Sequence, residues 1–146
     1  MAATHFSGPV SVGPGQVESL ITTKSLDKED NGKTFFLNLA GGFTVTLPAI
    51  STVDAGWKVK IIVGITPTTA YIVTEDTASD TNIIVGNVTT STGETTAAKF
   101  NASGFTLITF VVSSGAVKGD WIELVSDGTN YYVSGCTSVP AALTFT

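Results

Sequence analysis

The chain has 146 residues, a net charge of −5 and a sequence pI near 4.5, with 13% charged residues against 42% hydrophobic ones. That length suffices to bury the core of one domain without disulfide or metal staples. There is no arginine, and the 7 basic residues are lysines scattered from Lys24 to Lys118; without clustered cations to neutralise phosphates, the composition argues against nucleic-acid binding and against a polybasic membrane footprint.

Residues 1–16 carry Gly8-Pro9 and Gly13-Pro14-Gly15, which interrupt both helix and regular strand pairing. The expectation is an extended N-terminal arm with small apolar anchors at Phe6, Val10 and Val12, followed by a single β domain over residues 17–146. The start lacks the charged and apolar regions of a signal peptide. No apolar run approaches the roughly 20 residues that span a bilayer as a helix. The product is therefore expected to remain in the cytoplasm where it is made, unless it leaves as part of an assembly.

Residues 17–23 read as a first strand. The segment 26–32 is the most charged and ends in Asn31-Gly32, a turn signal. Residues 34–39 alternate as a strand, Ala40-Gly41-Gly42 turns the chain, residues 43–47 return it, and Pro48 ends the run. Residues 51–55 suit a single helical turn. The clearest strand is 57–63, with Trp57, Val59, Ile61 and Val63 on one face and Lys58 and Lys60 on the other. Further strands are expected at 70–74, 82–88, 98–100 and 106–112. The stretch 119–135 reads as a hairpin turning at Asp127-Gly128, with Ile122 and Leu124 on one face and Trp121, Glu123 and Val125 on the other. Residues 142–145 suit an edge strand. Thr and Val dominate these runs, both β-branched and suited to a pleated surface. Together they predict an all-β fold, an antiparallel β-sandwich or barrel. No fixed-period repeat is visible, which disfavours a propeller or solenoid.

Chemistry-bearing residues are sparse. The sole histidine, His5, sits in the Gly/Pro-rich arm, a poor place for the held imidazole that nucleophilic catalysis requires. The sole cysteine, Cys136, reads as a small, partly buried residue at a strand end. One His and one Cys do not supply a transition-metal site. Asp27, Glu29, Asp30 and Asn31 form an oxygen-rich cluster without EF-hand spacing, as do Glu75, Asp76 and Asp80; solvated turns are the simpler reading of both. Asp120 and Glu123 are three residues apart on a strand and so fall on opposite faces. No catalytic, cofactor-binding or metal-binding residue is assigned. Trp57, Trp121, Tyr131 and Tyr132 are either a ligand-stacking platform or subunit-packing aromatics, with packing favoured.

Four stretches resemble virion proteins of tailed bacteriophages. Asp30-Asn31-Gly32-Lys33-Thr34-Phe35-Phe36-Leu37-Asn38 is similar to their D-x-G-K-x-F-x-L-N strand. Gly42-Phe43-Thr44-Val45-Thr46-Leu47-Pro48 is similar to the G-x-T-V-T-L-P strand that follows it. The run from Gly119-Asp120-Trp121 to Ser126-Asp127-Gly128-Thr129-Asn130 resembles a G-D-x-x-x-L-x-S-D-G-T-N ending. The opening Thr4-His5-Phe6-Ser7-Gly8-Pro9 resembles the start of small head proteins, most of all head decoration or capsid cement proteins. The resemblance implies a β-rich homotrimer on the capsid surface, with the major capsid protein as partner and no reaction or cofactor. Docking would fall to the arm residues Thr4, His5, Phe6, Ser7, Gly8, Pro9 and Val10, with Phe6 as apolar anchor. The alternative is a receptor- or glycan-binding module of a head or tail fibre, and a polysaccharide-cleaving virion enzyme is a third.

Overall fold

The computed structural model describes residues 16–91, 99–113 and 115–146. The arm expected over 1–16 lies, up to residue 15, outside the described residues. The chain forms β1 (Val17–Leu20), β2 (Lys24–Ser25), β3 (Thr34–Leu37), β4 (Thr44–Thr46), β5 (Lys58–Val63), β6 (Tyr71–Thr74), β7 (Ile84–Thr90), β8 (Lys99–Phe105), β9 (Leu107–Phe110), β10 (Trp121–Ser126), β11 (Tyr131–Thr137) and β12 (Leu143–Phe145). Single 3-10 turns occupy Lys28–Asp30, Ile50–Thr52 and Pro140–Ala142. A seven-stranded sheet in the order β1-β3-β5-β10-β11-β7-β8 packs on a five-stranded sheet in the order β12-β9-β6-β4-β2. The fold is an all-β sandwich.

Its sheets are mixed rather than wholly antiparallel, because the first six strands alternate between layers. β1, β3 and β5 pair in parallel in the larger sheet, with Leu20, Leu37 and Val63 in register. β2, β4 and β6 pair in parallel in the smaller one, with Ser25, Thr46 and Thr74 in register. The Ala40-Gly41-Gly42 turn therefore carries the chain across the core instead of closing a hairpin. Residues 17–23 likewise make one strand that stops at Leu20, after which Lys24 begins a strand of the opposite sheet. Each strand buries one face, and the two faces meet across the core. Its hydrogen-bond partner is the strand before last. The result is three stacked two-strand rungs, a short coil whose irregular loop lengths leave no fixed period in the sequence.

The β10–β11 hairpin completes the larger sheet and is antiparallel to β5. Its turn is closed by Asp127, whose Oδ1 accepts the backbone N–H groups of Thr129 and Asn130 at 2.8 and 2.7 Å. Gly128 takes φ +89 there, a left-handed conformation that glycine adopts without strain. Phe35, Leu37, Ile61, Ile122 and Leu124 face Tyr71, Val73, Ile108 and Phe110 across the core, all fully buried. Each buried aliphatic side chain of this size stabilises by about 1.5–3 kcal/mol.

The open edges of the sandwich are treated differently. At β1 and β2 the last rung carries charge: Lys24 Nζ lies 2.9 Å from Glu18 Oε1, and Lys33 Nζ lies 2.5 Å from the buried Asp30 Oδ1. The hydrogen bond that Lys33 donates to the Asp30 carboxylate holds its ammonium above the ordinary pKa. Charged side chains at a terminal rung discourage further strand addition. At the other edge the rings of Phe105 and Phe145 stack at 4.9 Å, joining the strands β8 and β12.

Candidate interaction surface

The four aromatics singled out in the sequence separate into two pairs. Trp57 and Tyr131 are core residues in edge-to-face contact, 5.7 Å between ring centroids. Trp57 Nε1 donates to the Asp27 carbonyl, and the Tyr131 hydroxyl donates to the Pro48 carbonyl at 2.8 Å. Burial, with Asp80 nearby, pushes the Tyr131 phenol well above its ordinary pKa. Trp121 and Tyr132 instead stand on the outer face of the larger sheet, with Tyr132 exposed. Neighbouring residues of a strand point to opposite faces, so Tyr131 and Tyr132 part company although they are adjacent in sequence.

The outer face is a grid set by strand register. Ile62 lies beside Trp121, and Trp121 beside Cys136. Lys60 lies beside Glu123, and Glu123 beside Ser134. Lys60 Nζ sits 4.1 Å over the Trp121 ring, a cation–π contact that covers one face of the indole. Lys33, Lys58, Lys60 and Glu123 border a shallow groove of about 160 Å³. Asp120 and Glu123 occupy opposite sides of the sheet: Asp120 is buried and accepts the N–H groups of Ser138 and Val117 at 2.7 and 3.0 Å.

The two acidic clusters hold loops together. Asp27 and Asp30 close a capping box around the turn Lys28–Asp30, and Asn31 Oδ1 accepts the Lys58 N–H. Fully buried Glu75 accepts the Asn82 and Ile83 N–H groups, and Asp80 accepts the Ile50 N–H at 2.9 Å. Among the described residues no group of three His, Cys, Asp or Glu is placed to hold a metal ion. The arm residues Thr4, His5, Phe6, Ser7, Gly8, Pro9 and Val10 lie outside the described residues.

Charge is unevenly distributed along the strand axis. The loops before β3, before β5, after β6 and between β10 and β11 share one end of the sandwich and hold most of the chain's 12 acidic side chains. The opposite end exposes Ile21, Leu39, Ile65 and Val117. Ile21 and Leu39 fall within the expected strands 17–23 and 34–39, and strand periodicity does not single out Ile65 or Val117 as surface residues. Leu39 and Ile65 continue the alternation of Leu37 and Val63, so periodicity alone places them inside. The strands end at Leu37 and Val63, however, and the loops turn both side chains outward. For Leu39 and Ile65 the only local signal is an apolar residue lodged beside Ala-Gly-Gly or Gly.

Compared with known proteins, the chain matches no family model, no curated protein and no solved structure.

Proposed function

We propose that this chain is a non-enzymatic structural protein of a tailed-bacteriophage virion, seated as a homotrimer on the capsid surface, where it bridges neighbouring major capsid subunits. The observation that carries this reading is the apolar surface left outside a well-filled core: Val17, Ile21, Leu39, Ile65, Val117 and Tyr132 are exposed in a chain with few charges. A surface of that kind suits burial against neighbouring subunits. The phage-like motifs support it from a second direction. Their apolar positions Phe35, Leu37, Val45 and Leu47 are core residues, so the motifs describe a scaffold. Repeated sites on one shell multiply weak contacts into avidity.

The test is location. Gold-labelled antibody on purified particles should mark the head shell, and removal of residues 1–16 should abolish shell binding while the far-UV circular dichroism stays unchanged. Label confined to a tail tip would refute the reading.

Trp121 and Tyr132 on the outer face favour a second reading, a glycan- or receptor-binding fibre module. Binding on a glycan array that disappears in Trp121→Ala and Tyr132→Ala would establish it. The Lys60 ammonium over the indole counts against it, because a sugar would have to displace that cation.

A further inference from the structure

Ile21 follows β1, Leu39 follows β3, Ile65 follows β5 and Val117 precedes β10. Those four strands are consecutive in the larger sheet, so the four exposed side chains stand side by side at one end of the sandwich. With strands about 4.8 Å apart, the ridge is about 15 Å long.

The loops bearing it are interlocked. Asn38 N–H donates to the Leu20 carbonyl at 2.8 Å, Ile65 N–H to Leu37 at 3.1 Å and Gly119 N–H to Val63 at 2.9 Å. The Tyr71 hydroxyl donates to the Ile65 carbonyl at 3.0 Å. A Cβ on Gly64 would meet Asn38 Oδ1 at 1.9 Å. A surface held this firmly loses little freedom when it is covered. The described loop segments that carry the ridge, residues 21–23, 38–42, 64–70 and 115–119, contain a single charged side chain, Lys118, and the Asp120 that follows is buried.

We propose that the ridge joins copies of this chain, packing against the same ridge of neighbouring copies about a rotation axis. Charge disposition selects this occupant. The acidic ends of neighbouring copies repel each other, and contact through the ridges places those ends outermost, away from the axis. The ridge-bearing strands have four to six residues and span about 13–20 Å, so the acidic ends of two ridge-joined copies are separated by well over one Debye length at physiological salt. Apolar packing is non-directional, so the ridge can meet copies of itself about the axis of the proposed trimer, and Lys118 can keep its ammonium at the wet rim. A single lysine gives no purchase on nucleic acid or an anionic bilayer. Four side chains per copy make a small contact, so association in the roughly micromolar range is expected. The inference rests on the self-association in the function proposed above and is independent of the capsid.

Sedimentation equilibrium of the full chain over a wide concentration range tests it. The expected result is a mass that rises to a multiple of 15.0 kDa. Ile65→Glu and Leu39→Glu should each weaken association at least about tenfold, with unchanged circular dichroism and thermal midpoint. Val17→Glu, exposed at the far end of β1, should associate as the wild type does. A wild-type monomer at the highest concentration overturns the inference without bearing on where the protein sits in a particle. Full association by both ridge variants overturns it as well. So does binding to phosphatidylcholine vesicles that Ile65→Glu abolishes, which would make a lipid surface the occupant.

Discussion

Removing the Glu75 carboxylate tests whether the acidic residues after β6 act as loop staples. Glu75 is fully buried, and each oxygen accepts one backbone N–H, from Asn82 and from Ile83, at 3.0 Å. Asn82 is left-handed at φ +55, and its carbonyl crowds Gly104 on β8, so the carboxylate fixes a strained corner where β7 begins. Glu75→Ala deletes both acceptors. A hydrogen bond to a charged group contributes about 1.5–3 kcal/mol, and a stranded buried donor costs about 1–3 kcal/mol. If water enters to satisfy one of the two donors, the expected loss is about 3–5 kcal/mol. For a chain of this length that lowers the thermal midpoint by about 6–20 °C. Glu75→Gln keeps the shape but turns an NH₂ group toward one N–H, and should lose about 2–3 kcal/mol. The control is Asp76→Asn, whose oxygen serves the exposed Ala78 N–H, with a loss under about 1 kcal/mol. Urea unfolding followed by tryptophan fluorescence measures all three. A Glu75→Ala protein within about 1 kcal/mol of wild type would refute the staple, because two buried charge-assisted bonds are too costly to lose silently.

Tyr131→Phe removes the donor to the buried Pro48 carbonyl and should destabilise by about 1–2 kcal/mol in the same assay, with no change in fold. Gly86 holds φ +127 at the irregular point of the β7–β8 pairing, and a Cβ there would sit 2.2 Å from the Val133 carbonyl oxygen. Gly86→Ala is therefore expected to cost about 2–4 kcal/mol; a neutral effect in denaturant unfolding would contradict the close approach of β7 to β11. The backbone N–H groups of Asn130 and Thr129 hold the Asp127 carboxyl below its ordinary value of 3.8. Its folded pKa lies below its unfolded one, so its contribution is present above the ordinary value and is lost as pH falls through the folded one. The amide resonances of Thr129 and Asn130 should titrate with a midpoint below 3.8, and a midpoint at or above that value would count against the turn geometry.

Much of the local structure was legible because it follows from short-range rules. The alternation of Trp57, Val59, Ile61 and Val63 predicts β5 and its buried face, and Asp127-Gly128 predicts the tight hairpin that joins β10 to β11. The expected turn at 51–55 is the 3-10 turn Ile50–Thr52, and the expected edge strand at 142–145 is β12. Glycines and prolines mark most remaining turns. Less legible was the destination of a turn. A turn that closes a hairpin and one that crosses the core use the same Gly-rich composition, and both are flanked by strands with one apolar face.

Within a strand such as Lys58–Val63, the strand state and its buried face are properties of neighbouring residues, set by a two-residue side-chain period and by turn chemistry, and the sequence alone determines them. Which strands pair is not. β1 meets β3 and β3 meets β5 across separations of 17 and 26 residues, because each intervening strand leaves for the opposite sheet. Only that crossing makes the sheets mixed. It also buries Trp57 and Tyr131 while leaving Trp121 and Tyr132 outside, and it lines up Ile21, Leu39, Ile65 and Val117 from four separate loops. Exposure depends on which strand ends beside which, and that is decided by how two sheets share one core.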